Sequence, residues 1–130
     1  RRSLELRPAQ PQVLNYLGYM LIERKENLDE ALDMIELAVE KSPQSGYIID
    51  SLAWGLYQLG RYEEAITPME QAISLEPEDP IVNDHFGDVL WKVGRKREAY
   101  FQWKRVLLFQ PSEELLMDIE KKLKHGLEDL

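Results

Sequence analysis

Asp84, His85 and Asp88 are the residues of this sequence whose types and spacing could do chemistry. On a helix the three side chains would lie within about one turn, on one face. Asp50 and Ser51 precede Asp84 and His85 by 34 residues, so a metal site or a Ser-His-Asp proton relay can be drawn from this set. Two or three ligands leave a coordination shell open, and a relay without a preorganised oxyanion site is not a catalyst. We therefore expect no catalytic, metal-binding or cofactor-binding residues, and a solvated acidic face that includes Asp88.

The composition excludes several function classes. Lys and Arg number 16 against 24 Asp and Glu, which gives a net charge of −8. Nucleic acids and anionic membrane surfaces attract clustered Lys and Arg, so this balance argues against both as partners. The absence of cysteine excludes a disulfide framework, a thiol nucleophile and a cysteine-based zinc site. No apolar run approaches the roughly eighteen residues of a membrane-spanning helix, so we expect a soluble domain.

The elements that position these residues repeat along the chain. Pro43, Pro77 and Pro111 recur every 34 residues, and Pro8 precedes Pro43 by 35. Small residues recur with the same register, and they are Gly18, Ala53 and Gly87 in one series and Ala31, Ala65 and Ala99 in the other. A fixed period of this length is the signature of stacked repeats. The extra residue falls in a turn, at about residues 23–27, where an insertion is tolerated best.

Each unit contains two apolar segments with helical period. The predicted helices span residues 12–24, 28–41, 47–59, 62–75, 80–93 and 96–109, and a seventh follows Ser112. Asn27 with Glu30 predicts a capping box, and Asp79 before a proline predicts an N-cap. Helices approach to about 8–10 Å only where the contact residue is small, which predicts close packing at positions such as Gly87.

These residues resemble the tetratricopeptide repeat, whose pattern is bulky-x-x-Leu-Gly-x-x-Tyr, then Ala-x-x-x-Phe-x-x-Ala, then Pro. The first unit supplies Leu14, Leu17, Gly18, Leu21, Ala31, Ile35, Ala38 and Pro43. The second supplies Ile49, Leu52, Ala53, Leu56, Gly60, Tyr62, Ala65, Met69, Ala72 and Pro77. The third supplies Phe86, Gly87, Leu90, Gly94, Ala99, Trp103, Val106 and Pro111. The resemblance implies an all-α fold, a right-handed α-solenoid of stacked antiparallel helix pairs with a C-terminal capping helix.

The register divides the chain into five parts. We expect a partial second helix of an upstream repeat in residues 1–10, repeats in 11–45, 46–79 and 80–111, and a capping helix with its tail in 112–130. The segment 1–10 is expected to cover its neighbour incompletely, which would leave a face around Val13, Leu17 and Leu21 for self-association. The sequence pattern is similar to that of the C-terminal repeats of bacterial multi-repeat proteins. It does not decide between the cytoplasm and the periplasm as the compartment.

In the family that the chain resembles, the first helix of each pair lines a concave groove. The positions carried over to this sequence predict a partner-binding groove formed by Asn15, Tyr16, Tyr19, Tyr47, Asp50, Trp54, Tyr57, Asp84, His85, Asp88 and Trp91. Aromatic rings with a polar handle are common anchors at protein interfaces. We expect the main contacts at Tyr19, Trp54, Tyr57 and Trp91.

The charge of the groove indicates its partner. Some family members hold a peptide's C-terminal carboxylate with Lys, Asn and Arg, and the matching positions here are Asn15, Tyr19, Ser51, Ile81 and His85. Because the cationic members are missing, a neutral or basic segment fits better. We expect a non-catalytic scaffold for a protein or peptide. The alternatives are an accessory arm of a larger enzyme and a self-assembly module.

Overall fold

The computed structural model describes residues 11–127, and seven α-helices form that part of the chain. They are α1 (Pro11–Arg24), α2 (Leu28–Lys41), α3 (Gly46–Gln58), α4 (Tyr62–Leu75), α5 (Pro80–Lys92), α6 (Lys96–Val106) and α7 (Glu113–His125). The described residues contain no strand, so the all-α prediction is confirmed. None of these helices is long and apolar enough to cross a membrane. The partial helix predicted in residues 1–10 lies outside the described residues.

Local chemistry sets several of the helix ends. The Asp79 carboxylate accepts a hydrogen bond from the Val82 N–H at 2.9 Å, and the Ser112 hydroxyl accepts one from Leu115 N–H at 3.1 Å. These side chains satisfy N–H groups that have no partner within the first helical turn. The predicted N-caps of α5 and α7 are therefore confirmed.

The turn between α1 and α2 absorbs the extra residue of the first unit. Lys25 and Asn27 both adopt left-handed backbone angles, with φ of 56° and 48°. In the register of the repeats, Lys25 stands where the other units place Gly60 and Gly94, whose φ values are also positive. Asn27 makes no side-chain capping bond, so the predicted capping box is wrong. Its left-handed conformation differs from the extended one in which an N-cap side chain reaches the first turn.

The helices stack as a solenoid. The two helices of each unit pack together, and the first helix of each later unit also packs on both helices of the unit before it. Thus α3 contacts α1 and α2, and α5 contacts α3 and α4. The first helices therefore form one continuous inner layer, which is the layer that positions the candidate groove.

Two glycines allow helices to approach closely. A Cβ atom placed on Gly18 would lie 2.6 Å from the Ile35 side chain, and one on Gly87 would lie 2.4 Å from the Trp103 indole. Trp103 is fully buried and belongs to the main core cluster, together with Ile119 of α7 and Leu127. The capping helix is consequently part of the same core as the repeats.

Gly87→Ala is expected to lower the free energy of unfolding by about 1–3 kcal/mol, because the added methyl group would collide with the buried Trp103 ring. Gly55→Ala is the matched control, since its Cβ would meet only the flexible ends of Ile22 and Leu32, at 3.0 and 3.2 Å. Alanine favours helix over glycine by about 1 kcal/mol, so the control should be nearly neutral or stabilising. Urea unfolding measures both variants, and equal midpoints would contradict the close packing at Gly87.

Candidate functional site

Two adjacent cavities open on the inner layer of first helices. The N-terminal cavity has a volume of about 310 Å³, and the C-terminal cavity has a volume of about 470 Å³. Tyr19 and Ile81 line both, so the two cavities form one groove. The N-terminal cavity is also lined by Asn15, Tyr16, Tyr47, Asp50, Ser51, Asp79 and Val82. The C-terminal cavity is also lined by Glu23, Trp54, Pro80, Asp84, His85, Asp88, Ser112, Glu114, Leu115, Asp118 and Lys122.

Most of the residues predicted from the sequence meet at this groove. All of them line one of the two cavities except Tyr57 and Trp91. Tyr57 stacks on Trp54 with ring centroids 4.5 Å apart, which supports the wall of the C-terminal cavity from behind. Trp91 packs edge-on against Tyr100, and Gly126 lies against its indole. Tyr57 therefore supports the groove without lining it, and Trp91 packs away from both cavities.

The exposure of the predicted residues differs sharply between the two cavities. Tyr16 and Tyr47 are 64% and 54% exposed, and they stand at the mouth of the N-terminal cavity. Asp88 is only 5% exposed, and Asp84 and His85 are buried as well. The expectation that Asp88 lies in solvent is therefore wrong. Every residue from 82 to 90 is buried because α5 is packed against α3, α4, α6 and the capping helix.

The two buried acids of α5 share one lysine from the capping helix. The Lys122 ammonium donates hydrogen bonds to Asp84 at 2.7 Å and to Asp88 at 3.1 Å. Asp88 also accepts a hydrogen bond from the Trp103 indole N–H at 3.1 Å. A buried carboxylate is tolerated only when it is paired and hydrogen-bonded, and this arrangement satisfies both conditions. Lys122 thereby fastens α7 to the inner face of α5.

The pKa values of this cluster follow from burial and from the neighbouring charges. Burial and the carboxylate of Asp84 raise the pKa of Asp88 from 3.8 to about 6, although Lys122 opposes the shift. Burial alone would lower the pKa of Lys122, but Asp88 and Asp84 outweigh it and leave that pKa raised. The cluster therefore binds its protons more tightly than isolated side chains do.

His85 forms a second buried pair, with the preceding repeat. Its Nδ1 atom lies 3.0 and 3.1 Å from the two carboxylate oxygens of Asp50, and its ring stacks on Trp54 with centroids 3.9 Å apart. Burial lowers the pKa of His85, but Asp50 more than compensates, so the pKa lies above its ordinary value. Asp50 lines the N-terminal cavity and His85 lines the C-terminal one, so the pair forms part of the partition between them.

The phenols of the groove remain donors at neutral pH. Burial is the largest cause of the raised pKa of Tyr19, and the carboxylate of Glu23, which shares a hydrogen bond with it, raises the pKa further. Burial likewise raises the pKa of Tyr57, with additional contributions from Asp88, Tyr62 and Asp84. A neutral phenol offers both a donor and an acceptor, which suits hydrogen bonding to a peptide.

The side chains of the groove are not arranged as the Ser-His-Asp proton relay or the metal site that can be drawn from the sequence. The Ser51 hydroxyl donates to the Tyr47 carbonyl at 3.2 Å, within its own helix, while Nδ1 of His85 faces Asp50. Ser51 is thus not placed as the nucleophile of a relay through His85. Within residues 11–127, no group of three or more His, Asp or Glu side chains is positioned to hold a metal ion.

The sequence does not single out the contribution of α7 to the groove. Glu114, Leu115, Asp118 and Lys122 line the C-terminal cavity, although the pattern predicts only a cap with an apolar stripe. Lys122 follows the fully buried Ile119 by three residues, so the two lie on one face of α7. The available signal is this register, which places Lys122 on the buried face of α7.

Lys122→Met is expected to lower the free energy of unfolding by about 3–5 kcal/mol, because it leaves Asp84 and Asp88 buried without their cation. Methionine keeps most of the apolar stem, so the loss of the charge dominates. Lys121→Met is the matched control, since Lys121 is exposed on the same helix. Urea unfolding at neutral pH gives the comparison, and similar destabilisation by both variants would refute the buried ion pair.

Stability is expected to rise as the pH falls from 8 to about 5. The folded chain holds a proton on Asp88 up to about pH 6, whereas the unfolded chain releases it near 3.8, so folding is favoured as the pH drops through this window. The raised pKa of His85 acts in the same direction, because its stabilisation is complete below 6.5 and is lost as the pH rises through the folded value. Together they should contribute about 1–3 kcal/mol.

Denaturant unfolding across the pH range measures this dependence. Asp88→Asn should flatten the part of the profile between about pH 4 and pH 6, because its amide does not titrate. Asp33→Asn, at an exposed position of α2, is the control and should leave the profile unchanged. A wild-type protein that is more stable at pH 8 than at pH 5 would overturn the assignment.

Comparison with known proteins identifies structures with a similar fold. Residues 51–79 match the family model of the tetratricopeptide repeat, and no curated protein matches the sequence. The first TPR of Spaghetti (RPAP3), solved with the HSP90 peptide SRMEEVD, is similar with a TM-score of 0.77 and 19% identity over 91% of this chain and 93% of that one. A thermophilic TPR protein of Thermus thermophilus gives a TM-score of 0.80 and 19% identity over 95% and 69% of the two chains.

A third similar structure is MamA AMB-1, with a TM-score of 0.68 and 26% identity. The alignment covers 89% of this chain and 64% of MamA, so the chain spans slightly less than two thirds of that protein. Three observations indicate the same fold. They are the register of three helix pairs, the stacked inner layer of first helices and the match to the repeat model. The chain has the fold of the tetratricopeptide-repeat proteins, and its residues 51–79 match the model of that repeat.

Proposed function

We propose that this chain is a non-catalytic protein-interaction module and that its groove binds a segment of a partner protein. The observation that carries the proposal is the pair of adjacent cavities on the inner layer, with exposed aromatic rings at the mouth. Concave sites that combine apolar walls with a few polar groups are the usual location of ligand binding. The RPAP3 domain in complex with an HSP90 peptide is a precedent for peptide binding on this fold.

The proposed contacts follow from the exposure of each side chain. Tyr16 and Tyr47 would meet the partner directly, because both are exposed at the N-terminal cavity. Tyr19 and Trp54 are half-buried and would form the walls against which the segment lies. The buried groups would not touch the partner, but their charge would attract it and their contacts would hold the walls of the cavities in place. These groups are the pair of Asp50 and His85 and the acids of α5.

The partner segment is proposed to be neutral or basic. Among residues 11–127, five carboxylates line the C-terminal cavity, and Lys122 is the only lysine or arginine that does so. The N-terminal cavity adds Asp50 and Asp79, and no lysine or arginine of the described residues lines it. The peptide SRMEEVD of the RPAP3 complex is acidic, so we expect a partner of different charge here. Complementary charge would make association faster at low salt.

Two other arrangements of the same module remain proposals. The α1 residues Val13, Leu17 and Leu21 are half-buried, and they offer apolar area for contact with a second copy. Apolar area in water costs about 25 cal/mol per Å², so such a face favours association. The module could also be the accessory arm of an enzyme, in which case the groove would bind that enzyme's partner. Light scattering across a concentration series tests self-association, and a monomer throughout would exclude it.

Pull-down with the whole chain, read by mass spectrometry, tests the groove as the binding site. Tyr16→Ala with Tyr47→Ala should remove the groove's partners, because buried aromatic anchors contribute about 2 kcal/mol or more each. Phe101→Ala with Leu108→Ala is the matched control, since these two large side chains are exposed but line neither cavity. A partner that is retained by the groove variant and lost by the control variant would contradict the proposal.

A further inference from the structure

The mouth of the N-terminal cavity carries large apolar side chains from three successive first helices. Tyr16 of α1, Tyr47 of α3 and Ile81 of α5 are all exposed, and all line this cavity. Single exposed apolar residues are ordinary, but a cluster at the rim of a concave site marks an interaction surface. Such a rim favours an aromatic or aliphatic side chain of the partner, because its burial removes apolar surface from water on both molecules.

A polar atom inside the same cavity lacks a partner. The Oδ1 atom of Asn15 is buried, and it accepts no hydrogen bond from any of the residues that the structure describes. Asn15 lines the N-terminal cavity, so rotation of its side chain would turn this buried oxygen toward an N–H group of a bound segment. Leaving a buried acceptor unsatisfied is unfavourable, and a peptide donor would relieve that cost. The site thus accepts an apolar side chain together with a nearby N–H.

The C-terminal cavity differs in its charge. Lys122, the one lysine of the described residues that lines it, is already shared between Asp84 and Asp88. Glu23 of α1 and Glu114 and Asp118 of α7 are exposed at the same cavity, on opposite sides of the inner layer. A cation that entered between them would meet unneutralised carboxylates without displacing Lys122. Charge complementarity therefore favours a lysine or an arginine at this position.

Resting on the proposed function, we propose that the groove recognises one extended basic segment through two subsites. An aromatic or aliphatic side chain enters the N-terminal cavity, a peptide N–H donates to Asn15, and a lysine or arginine enters the C-terminal cavity beside Glu114 and Asp118. The two cavities share Tyr19 and Ile81, so one segment spans both. Side chains two residues apart on an extended segment lie on one face about 7 Å apart, so the apolar and basic residues should be about two positions apart.

Selection of a random peptide library on the whole chain tests the two subsites. We expect enriched peptides to contain an aromatic or aliphatic residue with a lysine or arginine about two positions away. A synthetic peptide of the enriched sequence is then measured by fluorescence anisotropy against each variant. Tyr47→Ala should weaken its binding about tenfold or more, because it removes an anchor of the apolar subsite.

The basic subsite has its own pair of variants. Glu114→Gln with Asp118→Asn should weaken binding about three- to tenfold and should reduce its dependence on salt. Glu36→Gln with Glu40→Gln is the matched control, because these acids have the same spacing on α2, are exposed and line neither cavity. The control should bind as the wild type does. Equal weakening by both double variants would overturn the basic subsite, since it would reflect net charge alone.

The outcomes separate this inference from the proposed function. If the wild type enriches no peptide, or only peptides whose binding is unchanged by Tyr47→Ala and by Glu114→Gln with Asp118→Asn, groove binding itself fails. If the enriched peptides depend on the groove but are acidic, or lack the apolar and basic pair, groove binding stands and the two-subsite assignment is overturned.

Discussion

The ammonium of Lys122 lies between the carboxylates of Asp84 and Asp88, and all three groups are buried. Each of them would be costly to bury alone, and the ammonium stabilises both carboxylates against burial and against their mutual repulsion. The lysine comes from α7 and the acids come from α5, so the interaction holds the capping helix on the inner layer. The wall that α7 gives to the C-terminal cavity therefore depends on this contact. The hydrogen bond from Trp103 to Asp88 extends the same network into the apolar core.

The carboxylates of the groove fall into two classes, those that belong to this network and those that do not. The acids on α5 are paired from within with Lys122 and shape the site through their position, and burial raises the pKa of Asp88. The acids at the rim, such as Glu114 and Asp118, line the cavity and form no ion pair with the described residues, because Lys122 is bonded to Asp84 and Asp88. Buried pairs of the first kind fix structure, whereas exposed charges of the second kind steer and select a partner. The groove is acidic to an approaching ligand because of the second class.

Much of the fold was predictable, because the same types of residue recur at the same packing positions in each repeat. The 34-residue register identifies the helix pairs, and the small residue at Gly87 predicts a close contact that Trp103 provides. Nine of the eleven predicted groove residues line a cavity, since the first helices do form the inner layer. The burial of Asp88 was not predictable from local pattern. Its cation is 34 residues away, and Lys122 stands among other lysines that its helix leaves exposed.

Hydrogen exchange of the backbone amides in the wild-type chain tests most directly whether the buried network locks α7 into the groove. If it does, the amides in the last two turns of α7 exchange as slowly as those of α5, because both helices open in one cooperative event. A capping helix that frayed on its own would exchange orders of magnitude faster than α5 at the same pH. Slow exchange of both helices is the result that the ion pair predicts. Fast exchange of α7 beside a protected α5 would contradict it.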